Sequence, residues 1–322
     1  MKSTTAHQLT LSAPHSFSET SGLKSVLLAL PEGSFDDERM CDYFGYYRVI
    51  DLSAARAELE KLAEAYSVAG VQVYILNNLV REGQCDLSAL PNVLFPRDVA
   101  GVLGKRIFIG SQPYSSRAPE FEIMAQVLED LFGRDQLVVP NFDDPLMTGE
   151  FGDFVCVKDR TLLVNIGHRT SLRFAQMILA SLFEYGFESV AFVQLPRELR
   201  YAHLDLACNV SPSGGGLLLS RIFKSLVLRE YLSDGRRTFI PLERWAERHG
   251  LTLEFITDSE QEQGLVNYVF INRDEIITGT PHPRLAELAC SAGVKLHTVP
   301  LDEVFAAGGR VRCATLVLER EE

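Results

Sequence analysis

The sequence predicts an α/β fold built as a ring of five ββαβ units, on three observations. Short apolar runs of β character alternate with amphipathic helical runs along nearly the whole chain. The alternation recurs five times, at a period of roughly 50–60 residues, as a repeat architecture requires. In the later units two β-runs, joined by Lys158-Asp159-Arg160 or Asn272-Arg273-Asp274, precede a helix and a third β-run. An open α/β sheet satisfies the alternation too, and the repeated period is what favours the ring.

The elements follow in order. "SVLLAL" is the first strand. In "DLSAARAELEKLAEAYSVAG", Leu52, Ala55, Leu59, Leu62 and Tyr66 recur at helical spacing, Asp51 or Ser53 caps the start and Gly70 ends it. "VQVYIL" completes the first unit. The second runs through "RIFIG", a helix in "APEFEIMAQVLEDLFG" and "QLVVP". The third is "FVCVKDRTLLVNIG", "SLRFAQMILASLFEYG" and "SVAFVQLP"; the fourth is "HLDLACNVSPSGGGLLLS", "PLERWAERHG" and "LTLEFI". The fifth is "NYVFINRDEIITGT", "PRLAELACSAG" and "VKLHTVP", after which a last strand carrying Cys313 returns. Trp245 reads as a helix core anchor. Without a linker inside the repeats, the expected organisation is a flexible lead-in over 1–22 and a single domain over 23–322.

Bulk properties exclude several function classes. The net charge of −12 over 322 residues disfavours nucleic acid, which demands clustered Lys and Arg, and suits a cationic ligand. No apolar run reaches the roughly 20 residues of a membrane span, and the polar N-terminus has no signal-peptide core, so the expected location is cytoplasmic. Cys41, Cys85, Cys156, Cys208, Cys290 and Cys313 form no C-x-x-C pair and no Cys/His cluster, against a zinc site or a disulfide framework. "GVLGKRIF" has Arg106 where a phosphate loop needs Ser or Thr, and there is no G-x-S-x-G or H-E-x-x-H. No metal and no cofactor are expected.

What remains are polar groups at the ends of apolar strands: Arg97 and Asp98 in "LFPRDVAGVL", Glu150 and Asp153 in "GEFGDFVCV", His203 and Asp205 in "YAHLDLACNV", and Cys313 after two glycines in "AAGGRVRCATLVLER". By alternation, His203 and Asp205 share one face of a strand. Each has a structural reading: a solvated turn, a loop pair, an edge-strand face, a small core residue. Together they supply a nucleophile, an acid/base and carboxylates that match the N–H fork of a guanidinium.

The ordered set "RD", "EFGD", "NIGHRTS", "HLD" and "GGRVRC" resembles the guanidino-group-modifying superfamily of arginine deiminases, dimethylarginine dimethylaminohydrolases and amidinotransferases. The resemblance covers the chain from about residue 24 onward. It implies a five-bladed α/β propeller, the pentein fold. It also implies roles: Cys313 as nucleophile, His203 as general acid/base, Glu150 as the carboxylate that orients it. Asp98 and Asp205 would grip the guanidinium, and Arg169 in "GHRTS" would bind an α-carboxylate. Arg97 and Asp153 join these as expected substrate-binding groups. The implied activity is hydrolysis of arginine or a derivative through an amidino thioether on Cys313. Glu150 favours hydrolases over amidinotransferases, which carry Asp there, whereas Phe151 departs from the usual glycine. Passing the amidino group to an amine is the alternative, and a non-catalytic binding member of the fold a more distant one. The implied partner is a small cationic guanidino compound, and a homo-oligomer is compatible with the sequence.

Overall fold

The computed structural model describes residues 13–33, 45–81, 83–113 and 115–322, so Cys41 and positions 1–12 of the expected lead-in lie outside the described residues. Among these residues the strands form five sheets. Four repeat one connection: an antiparallel strand pair, a helix, then a strand parallel to the second member of the pair. In the second unit these are Ala100–Leu103, Arg106–Ile109, the helix Ala118–Phe132 and Leu137–Val138. The third uses Phe154–Lys158, Thr161–Asn165, Leu172–Glu184 and Ser189–Val193. The fourth uses Cys208–Val210, Gly216–Ser220, Leu242–His249 and Thr252–Ile256. The fifth uses Tyr268–Asn272, Glu275–Thr278, Pro283–Ser291 and Lys295–Thr298. The first unit closes the ring: Leu23–Leu28 pairs in parallel with Gln72–Ile75 and antiparallel with the C-terminal strand Leu316–Arg320. The architecture is the five-unit α/β propeller expected from the sequence.

Local sequence explains the elements. The helix Leu52–Val68 starts where the Asp51 carboxylate accepts the N–H groups of Ser53 and Ala54, and it buries the expected stripe Leu52, Ala55, Leu59, Leu62 and Tyr66. Trp245 is fully buried, as expected of a core anchor. No helix among the described residues is long and apolar enough to cross a membrane.

The first strand of each repeated unit, and the C-terminal strand of the first unit, is an edge of its sheet, yet these edges are buried. A buried edge leaves backbone groups needing partners, and side chains from other units supply them. Arg97 Nη2 donates to the Phe154 carbonyl (2.8 Å), Arg320 Nη1 to that of Phe270 (3.0 Å), and Asn209 Nδ2 to those of Val266 (2.7 Å) and Tyr268 (3.0 Å). The Glu19 carboxylate accepts the Cys156 N–H (3.4 Å).

Glu19 lies in the described part of the lead-in expected over 1–22. Residues 13–22 pack on the body: Ser16 exchanges backbone hydrogen bonds with Gly104, Arg320 N–H donates to the His15 carbonyl, and Glu19 is buried against Arg312. The segment is polar in composition because it meets a polar interior.

Two local expectations also change. His203 and Asp205 do not lie on a strand; His203 caps and Asp205 sits within the 3-10 turn Leu204–Leu206, and pairing begins only at Cys208. Cys313 lies in a turn, with the strand starting at Leu316. A hairpin that the repeat pattern did not anticipate, Val227–Leu232 with Arg237–Pro241, adds to the outer edge of the third sheet.

Candidate active site

A few residues upstream of those five edge strands the chain makes a tight turn, and each turn delivers a polar side chain. The second unit delivers Asp98 from Pro96–Val99, the third Glu150 and Asp153 around Phe151–Asp153, and the fourth His203 and Asp205. The fifth delivers Asn267 and the first Cys313. Because the turns are equivalent in the repeat, residues hundreds of positions apart in sequence meet. Asp98, Glu150, Arg169, His203 and Cys313 line one cavity of about 310 Å³, together with Asn92, Phe95, Arg117 and the backbone of Gly308 and Gly309.

His203 is the hub. Its Nε2 lies 2.6 Å from Glu150 Oε2 and its Nδ1 3.6 Å from Asp98 Oδ1. Burial disfavours the charged ring, but Asp98, Glu150 and Asp153 outweigh it and raise His203 to about 10. Burial likewise opposes the Glu150 carboxylate, and Arg169 (3.5 Å), His203 and Arg117 (4.0 Å) outweigh it, lowering Glu150 to about 2. Both shifts favour the imidazolium–carboxylate form of the pair. The Cys313 thiol is pushed far up by burial and by the negative charges of Asp205 and Asp98. Asn267 Nδ2 donates to its sulfur at 3.7 Å.

Asp205 is fully buried, and neither of its oxygens has a hydrogen-bond partner; Arg312 Nε stands 3.7 Å away. Asp98 Oδ1 is also unpartnered. Unsatisfied buried carboxylate oxygens are costly; here they include those of both residues expected to hold a guanidinium, beside Glu150 Oε1 and Asp153 Oδ2. Arg97 and Asp153, expected among the substrate-binding groups, do not line the cavity, nor does Asp205. Arg97 is spent on the Phe154 carbonyl. Asp153, raised to about 7 by burial, accepts Asn165 Nδ2 (2.8 Å) and the Leu204 N–H (3.0 Å), fixing the turn behind His203. Gly152 completes that support, since a Cβ there would lie 2.6 Å from His203 Cγ.

Sequence reasoning missed Arg117 and Asn267. Arg117 donates to Asp98 Oδ2 (2.7 Å) and Glu120 Oε2 (2.8 Å). It occupies the N-cap of Ala118–Phe132, where a cation opposes the helix dipole, and that misplacement was the available signal. Asn267 immediately precedes the fifth edge strand, so only the repeat register points to it; its Oδ1 accepts the Arg312 N–H (2.9 Å).

Asp98, Glu150 and His203 could together hold a metal ion, their ligand atoms lying within 4.8 Å of one another. The donor set fits poorly. Asp98 already carries Arg117, Glu150 faces Arg169, and His203 is held as a cation that has no lone pair at Nε2 for a metal.

Residues 81–228 match the arginine deiminase family model. Among curated proteins, the arginine deiminase of Listeria monocytogenes serotype 4a (strain HCC23) is 26% identical over 265 residues, 73% of this chain and 63% of the relative. This chain thus spans less than two thirds of that deiminase's length. The uncharacterized protein YkgA of Bacillus subtilis (strain 168) is 24% identical over 273 residues, 85% of this chain and 83% of the relative. Among solved structures, an adduct of dimethylarginine dimethylaminohydrolase with 4-chloro-2-hydroxymethylpyridine superposes with a TM-score of 0.67 at 17% identity, covering 91% of this chain and 99% of that one. The product-bound N-terminal domain of ArgZ, an arginine dihydrolase from cyanobacteria, gives 0.68 at 20% identity, covering 92% and 97%.

Proposed function

We propose that this chain is a member of the guanidino-group-modifying superfamily and a cysteine-dependent hydrolase of arginine or an arginine derivative. The observation that carries the reading is the delivery, by equivalent turns of different units, of Cys313, a His203–Glu150 pair and an unpartnered Asp98 oxygen to one cavity, with the unpartnered carboxylate of Asp205 buried behind it and acting on Cys313 through its charge.

The substrate guanidinium satisfies the free oxygens of Asp98 and Asp205 and is held in plane. Its positive charge beside Cys313 favours the thiolate, and the thiol proton leaves to solvent. Sulfur attacks the central carbon, and the imidazolium of His203 gives its proton to the departing nitrogen as the C–N bond breaks. An amidino thioether on Cys313 and a neutral imidazole remain. The imidazole then takes a proton from water as its oxygen adds to the same carbon. Sulfur departs and the ureido product forms. Glu150 stabilises the imidazolium at both turns of this cycle. Arg169, a third exposed at the cavity, provides a cation for a substrate carboxylate, while Arg117 holds Asp98 in place.

The test is incubation with a panel of guanidino compounds, measuring ammonia, alkylamine and ureido products, with and without an added amine acceptor. Ureido product is expected without the acceptor, and none from Cys313→Ser. Turnover by Cys313→Ser near the wild-type rate, or loss of wild-type turnover on chelation, overturns the mechanism. Product formed only when the amine is present replaces hydrolysis by amidino transfer.

A further inference from the structure

A second cavity, of about 780 Å³, opens beside the catalytic one, and the two share Tyr47, Leu199 and Leu206. Its size falls within the range of small-molecule sites, roughly 300–1,000 Å³. Its walls include the apolar groups of Phe305 and Ala306. Tyr47 and Leu199 are 72% and 75% exposed, an apolar surface at the mouth of a polar site that the chemistry above does not use.

Three arginines line this cavity, and two are occupied. Arg48 pairs with Glu303 at 2.7 Å and Arg200 with Glu198 at 2.8 Å. Arg310 is different: it is 8% exposed, and among the described residues no carboxylate pairs with it. One Nη donates to the Glu262 carbonyl, and the guanidinium stacks 4.4 Å from the Phe305 ring centroid. Gly264 makes its seat. With φ +82°, it adopts backbone that favours glycine, and a Cβ there would come within 1.5 Å of Arg310 Nη1. A cation held rigidly by a backbone acceptor, a ring and a glycine, with donors left over, is prepared for an anion. The acidic side chains on the same wall, Glu262 and Asp302, are exposed.

We propose that this cavity is a tail subsite, taking the part of the substrate beyond its guanidino group: an apolar arm that ends in a carboxylate bound by Arg310. The proposal rests on the guanidino-hydrolase reading and sharpens it to a substrate class, arginine derivatives extended through such an arm. The guanidinium sits at Asp98 and Asp205, the arm runs past Tyr47, Leu199 and Leu206, and the acid meets the remaining N–H groups of Arg310.

The probes are Nα-glutarylarginine and Nα-pentanoylarginine, whose five-carbon acyl arms differ in the terminal carboxylate. Affinities are measured by calorimetry on Cys313→Ser and kcat/KM on the wild type. The acid-bearing probe is expected to be favoured about ten- to a hundredfold, the worth of a charge-assisted hydrogen bond. Arg310→Gln should bring the ratio close to one. Leu199→Glu, at an exposed position, puts a negative charge on the shared wall and should lower the ratio as well, even if Arg310→Gln fails to fold. Equal affinity for the two probes, or a ratio that both variants leave unchanged, overturns the proposal. Turnover of both probes without preference removes the tail subsite and leaves the hydrolase reading standing. Preferential binding without turnover of any guanidino compound does the reverse.

Discussion

Arg312 grips Glu19 with two hydrogen bonds, 2.7 and 3.1 Å, and so joins the residue before the candidate nucleophile to a segment at the other end of the chain. Arg97, the residue before Asp98, lies 4.0 Å from the same carboxylate. Two of the turns that carry site residues are therefore tied to one buried anion.

Replacing Glu19 by Gln keeps the shape and removes the carboxylate that Arg312 hydrogen-bonds and Arg97 faces, leaving Asp205 as the remaining anion beside them. Breaking one side of a buried pair costs about 3–5 kcal/mol, and a loss of that order is expected in urea unfolding at pH 7. Burial opposes the Glu19 carboxylate, but Arg312, Arg97 and Arg320 outweigh it and lower Glu19 from 4.5 to about 2. A carboxylate lowered on folding contributes stability that is present above about 4.5 and disappears as pH falls through about 2. The gap between wild type and Glu19→Gln should therefore narrow between those values. A gap that is constant with pH would show that packing, not charge, is what Glu19 supplies.

His203 is raised because anions surround it, so the anions can be removed one at a time. Its folded value of about 10, against 6.5 unperturbed, means that its ion pairs stabilise the fold fully below about 6.5 and cease to do so as pH rises through about 10. Glu150→Gln should lower the imidazole value by more than one unit and move the basic limb of kcat/KM downward with it. NMR titration of the ring, read beside the pH–rate profile, checks both. A basic limb that stays in place while the ring titrates lower would remove His203 as the proton donor.

The ring of five units was legible because each unit writes its hydrophobic pattern locally, strand by strand and helix by helix. The Val227–Pro241 hairpin was not, although Asp234-Gly235 is a turn signal, because it interrupts the repeat and pairs with the sheet of another unit. Cys313, His203, Asp98 and Glu150 stood out as reactive or charged groups at strand ends. Asn267 has no such chemistry, and only its equivalence in the repeat marks it. Glu19 was hidden for the opposite reason: in a polar stretch nothing distinguishes a carboxylate that meets a buried Arg312 from one that meets water.

Gly152 offers a test of geometry without a change of charge. An added methyl would meet His203 Cγ at 2.6 Å and Nδ1 at 2.8 Å, so Gly152→Ala must displace the ring from its 2.6 Å contact with Glu150. A misplacement of about 1 Å costs on the order of a hundredfold in rate. The expected result is a fall in kcat of about that size with the guanidino Kd, measured in a Cys313→Ser background, nearly unchanged. A matching loss of affinity would mean that the ring shift propagates to Asp98.

The thiol itself supplies the last test, because the empty site and the filled site should differ in charge. Burial, Asp205 and Asp98 all oppose a thiolate at Cys313 in the free protein. A guanidinium lying between those carboxylates and the sulfur reverses the sign of the local charge and should bring the thiol down toward the working pH range. Thiolate absorbance would be titrated with and without a non-hydrolysable guanidinium ligand, using Cys313→Ser as the blank. Cys156 and Cys208, both pushed up to about 12 by burial, stay silent over most of that range. The difference spectrum should show no Cys313 thiolate below about pH 9 in the free protein and a clear one when ligand is bound. An identical titration in the two states would mean that the substrate does not activate its own nucleophile.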